Sequence, residues 1–141
     1  MKILHVTSDD KRGGIQKAFE AYLSTLTPIS KFENFYFAPK RFVNNKYQNN
    51  AVHINMSWLQ KTLIRRGIFF PTQKFQNQSF NISFVHNGYL CEVMKRFSDN
   101  VVGICHNDKP EKFKYADYLI CLSPNAVEKA KFSGRCDRTI F

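Results

Sequence analysis

Phe80-Asn81-Ile82-Ser83-Phe84-Val85-His86-Asn87-Gly88 and Val101-Val102-Gly103-Ile104-Cys105-His106-Asn107-Asp108 share one pattern, a short apolar run that ends on a histidine and then turns polar. Each run has the length and β-branched or aromatic content of a strand. A helical pattern follows each, over Tyr89 to Phe97 in the first unit and Pro110 to Tyr115 in the second. Near-continuous apolar strands alternating with helical segments predict a parallel sheet buried on both faces.

The same alternation extends in both directions. Lys2 to Thr7 reads as a strand and Ser8 to Gly14 as a polar loop. A helix follows in which Ile15, Ala18, Phe19, Tyr22, Leu23 and Leu26 recur at spacings of three and four. Pro28 stops it. Phe35 to Ala38 and Ala51 to Met56 read as strands joined by a polar connection, and Ser57 caps a basic helix from Trp58 to about Arg66. Tyr118 to Leu122 is a further strand, and Ser123-Pro124 opens the last helix with a capping hydroxyl and a proline at the first helical position. Gly134 to Phe141 reads as a strand or linker. The expected architecture is a single doubly wound, Rossmann-like α/β domain over residues 1–141.

Ligands of open parallel sheets collect beyond the carboxyl ends of the strands. Four sites fall there: Gly13-Gly14, His86-Asn87-Gly88, His106-Asn107-Asp108 and Ser123. The glycine pair before a helix start lets the backbone approach an anion, or serves only as a tight turn. It is neither GxGxxG nor GxxxxGK[ST], which argues against a dinucleotide site and a P-loop. His86 and His106 are expected in one cleft as donors, acceptors or proton carriers, or each alone as a cap or structural histidine. No acidic or thiol ligand has metal-site spacing to either, so no metal is expected.

Lys and Arg outnumber Asp and Glu by 21 to 11. That balance fits an anionic partner without choosing among nucleic acid, a membrane surface and phosphorylated substrates. Nucleic acid is the weakest fit, because the bases are not interleaved with aromatics in a recognised module. Trp58 beside Lys61, Arg65 and Arg66 suits a helix resting on an anionic bilayer, or a solvated basic face. Cys91, Cys105, Cys121 and Cys136 have no CxxC spacing and read as reduced structural thiols. The opening residues are too soon interrupted for a signal peptide, which points to the cytoplasm.

Met1-Lys2-Ile3-Leu4-His5-Val6, the Gly13-Gly14 pair, Phe84-Val85-His86-Asn87, Cys105-His106 and Lys114-Tyr115-Ala116-Asp117-Tyr118-Leu119-Ile120-Cys121-Leu122-Ser123 together resemble the N-terminal, acceptor-side domain of family 4 glycosyltransferases, which have the GT-B fold. The resemblance implies a nucleotide-sugar substrate, with no cofactor, and a saccharide or lipid-linked acceptor of the cell envelope. It places Gly13 and Gly14 at the donor diphosphate, His106 near the transferred sugar as the catalytic residue, and His86 and Asn87 on the acceptor side. It assigns the Trp58 to Arg66 helix to docking at the inner face of the membrane. In that family a second Rossmann-like domain supplies most donor contacts. The resemblance covers the acceptor-side half alone, so a separate C-terminal donor-binding domain is the expected partner.

Overall fold

The structure, a computed structural model, describes residues 1–8, 14–26, 28–29, 31–38, 51–53, 59, 62–63, 66, 78–132 and 139–140. Seven strands form one sheet in the order β3-β2-β1-β4-β5-β6-β7, all parallel. They are β1 (Lys2–Val6), β2 (Glu33–Ala38), β3 (Ala51–His53), β4 (Phe80–Val85), β5 (Ser98–Cys105), β6 (Tyr118–Cys121) and β7 (Thr139–Ile140). The helices are α1 (Gly14–Leu26), α2 (Cys91–Met94) and α3 (Pro124–Phe132), with 3-10 turns at Gly88–Leu90 and Pro110–Phe113. The order reverses between β1 and β4, which is where a doubly wound sheet opens a crevice at its carboxyl edge.

The two faces of the sheet differ in chemistry because successive side chains alternate. Leu4 and Val6 point into an apolar cluster with Phe35, Phe37, Phe80, Leu90, Met94 and Phe113. His5 points to the opposite face, where register sets it between Tyr36 of β2 and Phe84 of β4. The three rings lie nearly parallel, with His5 5.5 Å from Tyr36 and 5.7 Å from Phe84. α1 covers this layer with Phe19, which is fully buried, and with Tyr22.

Polar pairing fixes the ends of the elements. Ser123 Oγ accepts from the Ala126 N–H at 3.1 Å, the N-cap expected of α3, and Ala126 and Ala130 bury the face of that helix. Asp117 reads both backbone groups of Val101: its N–H donates to the Val101 carbonyl at 2.8 Å, and its Oδ2 accepts the Val101 N–H at 2.9 Å. No helix among the described residues is long and apolar enough to cross a membrane.

The helix expected over Tyr89 to Phe97 is not continuous. A 3-10 turn and a single α-turn replace it, and β5 begins at Ser98. Two forces explain the difference. Gly88 packs directly on the Lys112 backbone, where a Cβ would stand 2.6 Å from the carbonyl carbon. The Phe97 carbonyl is drawn into the sheet by the Phe80 N–H at 2.8 Å. Of the strand expected over Ala51 to Met56, residues 51–53 are paired to β2 and the rest lies outside the described residues.

Candidate functional site

The polar turns after β4 and β5 meet beside the switch point. They line an open cleft of about 720 Å³ with Ile15, the first residues of α1 thus forming one margin. His86 and His106 both line it, as do Asn87, Tyr89, Lys114 and Tyr115. The expectation that two strand-end imidazoles share one cleft holds.

His86 Nδ1 and His106 Nε2 are 2.8 Å apart. The ring centroids are 5.0 Å apart and the planes differ by 19°. With so short a nitrogen separation, that spacing leaves only the two ring radii, so the rings meet edge to edge in a nearly linear hydrogen bond and not face to face. His86 is buried beneath Phe19 and Tyr22, both in T-shaped contact. Burial, then the neighbouring His106 and His5, hold its pKa well below the ordinary value. Burial also lowers His106, which is half-buried. Both rings are therefore neutral at physiological pH.

Asn87 is committed largely to structure. Its Oδ1 accepts from the Ser8 N–H at 2.8 Å and the Thr7 hydroxyl at 3.3 Å, and Ser8 Oγ shares a hydrogen bond with the Tyr89 hydroxyl. These bonds anchor the end of β1 to the β4 turn, which leaves only the amide Nδ2 of Asn87 for a ligand.

Gly14 opens α1. A Cβ there would meet nothing within 4 Å among the described residues, and its backbone is not in the left-handed region. Among the described residues, neither packing nor conformation demands glycine at this position. Gly13, Trp58, Lys61 and Arg65 lie outside the described residues. Arg66 is exposed, and its N–H bonds the Thr62 and Leu63 carbonyls at 3.2 Å. Leu59 on the same segment is 59% exposed.

Asp108 and Ser123 belong to a separate arrangement. Ser123 donates to Asp108 Oδ1 at 2.7 Å, and this bond holds the Asp108 carboxyl below its ordinary range. The cluster ties the β5 turn to α3. No group of three or more His, Cys, Asp or Glu among the described residues is placed to hold a metal.

Sequence reasoning missed the far wall of the cleft, formed by Glu92, Glu111, Lys112, Lys114 and Tyr115. The one signal available was position: Lys112 to Tyr115 follow the same strand end as His106. Tyr115 is 37% exposed, with Lys114 Nζ 4.5 Å from its ring centroid. Comparison with protein-family models, with characterised proteins and with solved structures finds no match.

Proposed function

We propose that this chain is the acceptor-side domain of a glycosyltransferase, moving a sugar from a nucleotide-sugar donor to a cell-envelope or lipid-linked saccharide. The observation that carries the reading is the neutral His86–His106 pair at the mouth of a cleft beyond the carboxyl ends of β4 and β5. Saccharides are bound by neutral hydrogen-bonding groups beside aromatic surfaces, and the cleft offers both through His106, Tyr89 and Tyr115. The N-terminus of α1, which Gly14 opens, suits a diphosphate, because helix N–H groups favour negative charge there.

In the reaction the bond between the anomeric carbon and the diphosphate oxygen breaks, the electron pair leaves with the diphosphate, and an acceptor hydroxyl oxygen takes its place while its proton passes to the departing diphosphate oxygen. The leaving diphosphate requires positive groups and a dry cleft. A second, donor-binding domain closing over this one supplies them in our reading. The work takes place in the cytoplasm at the inner membrane face, with the segment carrying Leu59 and Arg66 as the docking edge.

The test is transfer of labelled sugar from UDP- or GDP-sugars to lipid-linked acceptors by the full chain combined with a donor-binding domain. We expect turnover only with both parts, and a loss of roughly 10²-fold in His106→Ala. Leu59 and Arg66, each exposed, favour a second reading, a non-catalytic module for anionic membrane or glycan. That module would bind anionic vesicles while producing no transfer under any combination.

A further inference from the structure

We infer that His86 is a positioning residue that fixes His106 as its Nδ1–H tautomer, so that His106 meets its ligand as a hydrogen-bond donor and not as a base. The inference starts from the one bond between the rings. In a neutral pair, one nitrogen of the 2.8 Å contact carries the hydrogen and the other accepts it.

Two arrangements satisfy that bond. If His106 Nε2–H donates, His86 Nδ1 is the acceptor and the proton of His86 must sit on Nε2. That atom is buried and has no hydrogen-bond partner among the described residues, so the result is an orphaned N–H. If His86 Nδ1–H donates instead, its Nε2 is left with only a lone pair. Buried donors without an acceptor are rarer than under-satisfied acceptors, so the second arrangement is favoured. His106 Nε2 then accepts, and its own proton sits on Nδ1.

The consequence reaches the cleft that His106 lines. Its Nδ1–H is the group left for a ligand, and it seeks an oxygen with lone pairs: a sugar hydroxyl or a phosphate oxygen. The same bond opposes a base role. Were Nδ1 to take up a proton from a ligand, His106 would need a bare Nδ1 at the outset, and that is the tautomer His86 disfavours. That the oxygen belongs to a sugar rests on the glycosyl-transfer reading; the tautomer does not.

The experiment is long-range ¹⁵N NMR of the imidazoles in the full chain near neutral pH, without ligand. We expect a pyrrole-type signal for His106 Nδ1 and a pyridine-type signal for its Nε2. His86→Asn keeps an amide N–H near the position of the original Nδ1–H and should retain that pattern. His86→Met removes the donor and should release His106 to the Nε2–H form. A pyridine-type Nδ1 in the unmodified chain would overturn the inference, as would a His106 pattern unchanged in His86→Met. Because the readout needs no sugar nucleotide, its result is separate from success or failure of the transfer assay.

Discussion

Gly88 lies so close to Lys112 that a Cβ added to it would stand 2.6 Å from the Lys112 carbonyl carbon and 3.0 Å from the Lys112 Cβ, which brings together the 3-10 turns after β4 and β5. Both turns are walls of the cleft. A missing Cβ therefore lets the two turns pack together.

Gly88→Ala should push the turns apart, because the obstructing atoms are main-chain carbonyl atoms that cannot swing away. We expect a loss of about 1–3 kcal/mol in urea unfolding, of the size seen for overpacked cores. Gly14→Ala, whose Cβ meets nothing within 4 Å among the described residues, should leave stability within about 1 kcal/mol. Equal losses in the two variants would contradict this account of the cleft.

Acid should destabilise the fold through its buried histidines. Burial lowers the His5 pKa to about 4, although its bond to Asn34 Oδ1 at 3.0 Å acts in the opposite direction. An unfolded histidine titrates near 6.5, so between these values the unfolded chain binds more protons. The stability from neutral His5 is fully present above that range and is lost as pH falls through it. The loss is about 2 kcal/mol by pH 5. His86, also lowered, adds in the same direction. Urea unfolding at pH 7.5 and pH 5 checks the slope, which His5→Gln should make shallower; a flat profile in the unmodified chain would contradict it.

Asp117 and Lys95 form an ion pair at 2.7 Å, yet the two partners should differ in weight. Lys95→Ala removes an exposed charge and should cost under about 1 kcal/mol. Asp117→Ala strips the acceptor from the Val101 N–H inside the sheet and should cost about 1–3 kcal/mol. Comparable losses would mean that the ion pair, and not the backbone bond, holds this corner.

Cys105 and Cys121 stand in register on adjacent strands and are both buried. Burial raises the Cys105 thiol and pushes Cys121 up to about 11. Alkylation of either at neutral pH should follow opening of the fold, as read by peptide mapping over time with and without urea. Rapid labelling in the native state would contradict their burial.

The strands were legible where both neighbours bury them, because β1, β4 and the second half of β5 are runs of apolar residues. The start of β5 was not, since Ser98-Asp99-Asn100 is polar. It becomes strand through pairing with β4, where Ser83 and Ser98 share a hydroxyl hydrogen bond. His5 was read only as part of an apolar opening run. Its partner Asn34 is 29 positions away in sequence, and parallel register alone brings them together. Strand ends predicted the meeting of His86 and His106, but the direction of their bond depends on burial that no local pattern encodes.

Calorimetric titration of the full chain with UDP- and GDP-sugars, alone and with a donor-binding domain added, addresses the central claim most directly. The glycosyl-transfer account predicts heat of binding that appears or strengthens on adding the second domain and weakens in His106→Ala. Absence of binding to every nucleotide sugar, with and without that domain, would contradict it and leave the cleft to another ligand.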